Sequence, residues 1–230
     1  KYEYNQMNLL TKITYIDIYG SPIETRDKEI TICYDYDSKG NVQKVSFLDF
    51  DGHTLKMNDD KFAVVKFKYD ENGNEIERAF YDNNGNLTKN KGNRSAITKS
   101  AYDENFNLVS TRYYDENNSL MLVDDVAGYN YKFDSHGNEI ERVPVNKEGQ
   151  VSSTQFTYKY KYDNNDNHIE TAFYKNGIAV TNLSGYHKFT YTYNNKNQIN
   201  IRIIDDEIPE DEFRVQQEAI IQAYLTNQGV

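Results

Sequence analysis

An aromatic residue followed by a short polar turn recurs about every 32 residues along this 230-residue chain, seven times in all. The anchors are Tyr4, Tyr36, Tyr69, Tyr102, Phe133, Tyr162 and Tyr193, at spacings of 32, 33, 33, 31, 29 and 31. The clearest copy reads Tyr69-Asp70-Glu71-Asn72-Gly73-Asn74. Residues 73–78, Gly-Asn-Glu-Ile-Glu-Arg, return unchanged as residues 137–142. A unit this short cannot bury its own apolar face. Stacked against its neighbours it can, so the repeat implies an array in which each unit covers the next.

Alternation within each unit selects the element type. Val65, Phe67 and Tyr69 alternate with Lys66 and Lys68, and Tyr158, Tyr160 and Tyr162 alternate with Lys159 and Lys161. The same pattern runs through Tyr129, Tyr131 and Phe133, and through Phe189, Tyr191 and Tyr193. Side chains alternate across a strand, so each run reads as a β-strand with one aromatic and one basic face. Tyr69, Tyr131, Tyr160 and Tyr191 are expected in the core, and Lys68, Lys132 and Lys161 in solvent. Turns are expected at 37–41, 70–74, 103–107, 134–138 and 163–167, where Asp, Asn and Gly cluster. A returning strand then ends in an aromatic pair, and a second turn follows near Gly20, Gly52, Gly85, Asn118, Gly149 and Gly177. Short strands at Leu87, Leu120, Val151 and Val180 complete the unit.

The predicted fold is therefore all-β: tandem antiparallel hairpins over residues 1–205, forming an open twisted or spiralling sheet. Closure into a seven-bladed propeller is the competing arrangement. Blades ordinarily take 40 or more residues, and 32 is tight for four strands. After the repeats, Pro209 is followed by Glu210, Asp211 and Glu212, which suits a helix N-terminus. Phe213, Ile220 and Tyr224 recur at helical spacing, predicting a helix over roughly 209–226 within a terminal segment 206–230. Its expected role is to cap the array or to join it to a further domain. The chain begins at Lys1 already inside a repeat, which suggests processing or excision from a longer protein.

Composition narrows the function classes. Hydrophobic residues make up 37% and aromatic residues 14%, with 21 Tyr among them. This is lean for a two-layer globule but too aromatic for disorder. The net charge of −10 opposes a nucleic-acid backbone, and no local run of Lys and Arg offsets it. No apolar stretch is long enough to cross a membrane as a helix. Cys33 is the sole cysteine, so no intrachain disulfide forms, and it reads as an inert thiol beside Ile32 and Tyr34.

Strong catalytic motifs are missing: there is no Gly-x-Ser-x-Gly, no P-loop and no His-Glu-x-x-His. Asp49-Phe50-Asp51-Gly52 and 163–167 resemble calcium loops only in acidity, and neither supplies alternating ligands with a Glu at the twelfth position. Of the four histidines, His53, His136, His168 and His187, His136 and His168 stand near a Glu, but both sit in or beside turns without ligand spacing. No metal, no cofactor and no enzymatic activity are expected. The remaining candidates are Tyr81, Tyr114 and Tyr174, each 12 residues after its anchor and each beside a second ring in Phe80-Tyr81, Tyr113-Tyr114 and Phe173-Tyr174. Neighbours on a strand point to opposite faces, so one ring of each pair enters the core. The other is left to form an outer row that stacks on sugars or anchors a protein, or simply to strengthen cross-strand pairing.

The aromatic-Asp-x-x-Gly-Asn units resemble the tyrosine-aspartate (YD, or RHS-type) hairpin repeats of bacterial surface and toxin proteins, over residues 2–204. That resemblance implies a β-strip outside the cytoplasm, acting as a scaffold or ligand-binding surface. The leading expectation is a non-catalytic module for binding or scaffolding in a larger bacterial surface-associated protein, with a protein or glycan partner. The rivals are a carbohydrate-binding module using the Tyr row and a hydrolase with a carboxylate pair in a groove.

Overall fold

The computed structural model describes residues 1–92, 94–194 and, for the backbone, 199–205. The helix expected within 206–230 lies outside the described residues. The chain forms two compact units, one of Lys1–Gly128 and a second from Tyr129.

In the first unit, strands β1 (Tyr2–Tyr4), β2 (Leu10–Thr14), β3 (Thr31–Tyr36), β4 (Val42–Leu48), β5 (Val64–Tyr69), β6 (Glu75–Tyr81), β7 (Ile97–Tyr102) and β8 (Leu108–Tyr114) pair in chain order. The second unit continues with β9 (Gly128–Phe133), β10 (Glu139–Val145), β11 (Thr157–Tyr162), β12 (His168–Lys175), β13 (Ile178–Ala179), β14 (Lys188–Tyr193) and β15 (Ile199–Asp205). There β14 and the two-residue β13 both pair with β12. Every pairing with a stated register is antiparallel, and neither unit closes on itself, so the fold is an open meander rather than a propeller.

One turn geometry sets the register of each hairpin. Asp70 N donates to Asn74 O at 3.0 Å, Gly73 N donates to Asp70 O at 3.2 Å, and Gly73 has φ of +88°. This is a tight turn closed by a left-handed residue, which adds one residue to the strand end as a bulge. The register accordingly slips between Lys68 and Tyr69, so Tyr69 pairs with Glu75. Tyr36 with Val42, Tyr102 with Leu108, Tyr162 with His168 and Tyr193 with Ile199 repeat the slip. Phe106 and Asp166 hold the left-handed position without glycine, at φ of +65° and +62°.

Each turn is also held by its aspartate. Asp70 Oδ1 accepts from the amides of Asn72 and Asn74, both at 2.9 Å, and Asn74 Nδ2 donates to Oδ2. Asp37 with Asn41 and Asp163 with Asn167 copy it. The second turns use the same device with Asp82, Asp115 and Asn146. The short strands after them are single bridges, Tyr81 to Leu87, Tyr114 to Leu120 and Val145 to Val151. The fourth, expected at Val180, is β13, one residue earlier.

The core sits at the second-turn end of the strands. Ile32, Phe47, Val65 and Phe80 line one sheet face, and Phe62 folds over them from the connection before β5. Its ring meets Phe47 and Phe80 edge-on at 5.4 and 4.9 Å. Burying such a ring contributes roughly 1.5–3 kcal/mol. A smaller cluster of Ala79, Ala96 and Ile97 occupies the other face, with Tyr81, Leu87 and Tyr114 packed against it. Toward the anchor turns the aromatic face thins. Tyr69, Tyr131, Tyr160 and Tyr191 are half-buried rather than enclosed, because no second layer covers that end among the described residues. Lys68, Lys132 and Lys161 extend into solvent from the opposite face, as alternation requires.

Candidate functional site

Tyr81, Tyr114 and Tyr174 occupy one register position in three hairpins. Tyr81 pairs with Val64, Tyr114 with Ile97 and Tyr174 with Thr157. Their neighbours divide as strand geometry demands: Phe80 and Phe173 are 3% and 6% exposed on the core face, while Tyr81 and Tyr174 lie half-buried on the other. Tyr113 and Tyr114 are both half-buried. The three rings are thus not a bare outer row. Tyr81 and Tyr114 belong to the edge of the second cluster.

Each of the three carries a lysine. Lys66 Nζ lies 4.5 Å from the Tyr81 ring centre, Lys99 Nζ 4.5 Å from Tyr114, and Lys159 Nζ 4.3 Å from Tyr174. The cause is register. Lys66 stands two residues after Val64, the partner of Tyr81, on the same face, and the other two pairs share that offset. A cation over a ring contributes roughly 0.5–1 kcal/mol when exposed. Sequence reading located the tyrosines but missed the lysines, whose partners become visible only with the slipped register.

Alternation also gathers the basic residues. Lys44 and Lys66 pair across β4 and β5, and Lys68, Glu77 and Lys99 lie side by side across β5, β6 and β7. Lys132 and Lys161 reach Glu141 and Glu170 at 2.5 and 2.8 Å. These lysines, scattered singly along the sequence, therefore share one face within each unit.

The acidic turns do different work. Hydrogen bonds from the Asn74 side chain hold the Asp70 carboxyl below its usual range, and Asn41 does the same for Asp37. The Thr54 hydroxyl, followed by two backbone amides, pushes Asp51 down to about 2. These carboxylates serve their own turns. His136 Nδ1 lies 2.8 Å from Asp166 Oδ1, which raises its pKa. His168 packs among Tyr160, Tyr162 and Tyr191. Among the described residues no three His, Cys, Asp or Glu side chains gather as metal ligands would. Cys33 is half-buried, and burial pushes its thiol up, away from the reactive thiolate.

Among the described residues, recesses open in the first unit. One of about 580 Å³ is bordered by Met7, Thr11, Tyr34, Tyr36, Gln43 and Lys44. Another of about 280 Å³ lies among Glu75, Arg78, Thr98, Ser100 and Tyr102.

No protein-family model matches the chain, and no curated protein does. Solved structures do. A chain of the TcdB2-TccC3 crystal structure is 11% identical, with a TM-score of 0.44 over 91% of this chain and 12% of that one. A chain of TcdB2-TccC3-TEV is 13% identical at 0.36, over 89% and 13%. A chain of the Photorhabdus luminescens Tc holotoxin pore is 12% identical at 0.36, over 89% and 12%. The present chain spans about an eighth of their length.

Proposed function

We propose that this chain is a non-catalytic repeat module for binding or scaffolding, part of a larger bacterial surface-associated protein, and that it works outside the cytoplasm. The binding surfaces are the basic face of the first unit, where Tyr81 and Tyr114 each carry an ammonium group, and that of the second, where Tyr174 does. The observation that supports this most is the repetition of one arrangement, ring, lysine and register together, in three hairpins.

The arrangement favours an extended partner bearing acidic groups. An incoming ligand meets the ammonium first, since the ammonium covers the ring face on which a neutral sugar would stack. Tyr81 and Tyr114 stand two strands apart in the first unit, about 10 Å across the sheet at ordinary strand spacing. Sites recurring at that pitch suit a polymer better than a single small molecule. Weak contacts that repeat along one chain add by effective concentration. Glu77, Glu141 and Glu170 are already engaged by Lys68, Lys132 and Lys161, which favours a binding role over the paired acids of a hydrolase.

The test is a glycan array together with a pull-down from host and bacterial extracts, run at low and high salt. Retention of acidic glycans or acidic proteins, weakening as salt rises, is the expected result. Retention of neutral glycans alone, or of nothing, contradicts the acidic-ligand reading, and the second of these leaves a plain spacer.

A further inference from the structure

We propose that the recess beside Arg78 receives a tyrosine side chain from a partner polypeptide. The molecule supplies its own comparison. Residues 73–78 and 137–142 are the same hexapeptide, and both copies build the same structure. Arg78 donates through Nε and Nη2 to Glu75, both at 2.9 Å, and Arg142 donates likewise to Glu139 at 2.8 and 3.0 Å. Arg78 lies over the Phe67 ring at 5.3 Å, and Arg142 over the Tyr131 ring at 5.7 Å.

The next strand is where the copies part. Arg142 pairs with Tyr158, and β11 presents Tyr158, Tyr160 and Tyr162 on that face. Tyr158 and Tyr160 stack with planes 7° apart. Arg78 pairs instead with Thr98, and β7 presents Thr98, Ser100 and Tyr102. Two phenol rings are replaced by two small hydroxyl side chains. The recess of about 280 Å³ opens where those rings would stand.

The chemistry of the walls identifies the occupant. Glu75 neutralises Arg78, so a bare anion finds no net charge there. Arg78 keeps a flat guanidinium at the wall, the kind of surface on which rings stack. Tyr102 adds a polar partner. The hydroxyls of Tyr36, Tyr69, Tyr162 and Tyr193 each donate to a backbone carbonyl of the preceding hairpin. Among the described residues the Tyr102 hydroxyl makes no such bond, although it borders the recess. A ring with its own hydroxyl matches both features, and the second hexapeptide copy already accommodates one in Tyr160. The recess lies on the aromatic face, opposite the lysine-topped tyrosines, so it is independent of the surface proposed above.

The test is an NMR titration of the intact chain with N-acetyl-tyrosinamide, with N-acetyl-alaninamide and methyl glucoside as controls. Ser100→Tyr and Thr98→Tyr each restore a residue of the second copy and fill the recess. Saturable shifts at the amides of Glu75, Thr98 and Ser100 are expected with the tyrosine probe alone, weakened at least tenfold in either variant that folds. No saturable shift in the unmodified chain overturns the proposal. So do equal shifts in a folded variant, or equal shifts with the glucoside.

Discussion

The hydroxyl of Tyr69 donates a 2.8 Å hydrogen bond to the carbonyl oxygen of Val42, which begins the returning strand of the preceding hairpin. Tyr36 reaches Leu10 in the same way, Tyr162 reaches Glu139 and Tyr193 reaches His168. The anchor therefore serves two hairpins at once. Its ring packs on its own sheet face, and its hydroxyl ties down a strand end one unit back. The tie spans the returning strand, the connection and the next leading strand, 26, 27, 23 and 25 residues in the four cases.

Replacing Tyr69 by Phe removes that tie while keeping the ring. A net loss of about 1 kcal/mol is expected, as for an ordinary part-buried hydrogen bond. Tyr102→Phe is the internal control, since its hydroxyl makes no such bond, and it should cost less. Urea unfolding midpoints of the two variants check this directly.

Gly128 is a place where backbone approach, not turn formation, demands glycine. Its φ is +146°, and a Cβ there would lie 1.9 Å from the Thr111 carbonyl oxygen. Gly128→Ala should destabilise by more than about 3 kcal/mol, because both conformation and contact oppose it. Gly85→Ala, with nothing within 4 Å of the added carbon, should cost only the positive-φ strain. Thermal melts of both variants separate the two effects.

How much of this was legible beforehand follows from which signals are local. Alternation in 64–69 and the Asp-x-x-Gly-Asn turn lie within a few residues, so strands, turns and open hairpins could be read directly. The slip at each anchor could not, because it depends on a bulge set by the turn. Without the slip Lys66 cannot be placed over Tyr81, and Arg78 beside Thr98 depends on the irregular connection between β6 and β7. Phe62 was equally hidden, since a single ring in an irregular connection shows no period. The half-burial of Tyr69 and Tyr160 differs from expectation for a related reason: alternation names the apolar face but not whether a second layer covers it.

Acid should loosen the turns. Hydrogen bonds lower the folded pKa of Asp37, Asp70, Asp103 and Asp163 below 3.8. Their stabilising contribution is thus present above that value and is lost as pH falls through the lowered one. Asp70→Asn should fold, since Asn146 already accepts the same two amides in its own turn. Its stability should depend less on acid than that of the unmodified chain. Asp70→Ala should be destabilised at neutral pH as well. Circular dichroism followed through an acid titration reads all three.

Alkali acts on the aromatic face. Burial raises the Tyr160 phenol from near 10 to about 12. The neutral form is the one that the fold favours, so the contribution is complete below pH 10 and is lost between pH 10 and 12. Tyr160→Phe should remove that part of the loss. The gap between the two unfolding midpoints, followed across this range, measures it.

The binding surface itself is best tested on the lysines. Truncating Tyr81 and Tyr114 would also disturb the Ala79, Ala96 and Ile97 cluster on which they rest, whereas Lys66, Lys99 and Lys159 can lose their charge without leaving a void. Binding of the best acidic ligand from the array should therefore be measured by titration calorimetry, for the unmodified chain and for a Lys66→Gln, Lys99→Gln, Lys159→Gln triple variant of unchanged circular dichroism. A loss of at least tenfold in affinity, with a weaker salt dependence, is the expected result. Unchanged affinity in the folded triple variant would show that the lysine-topped tyrosines are not the surface that binds.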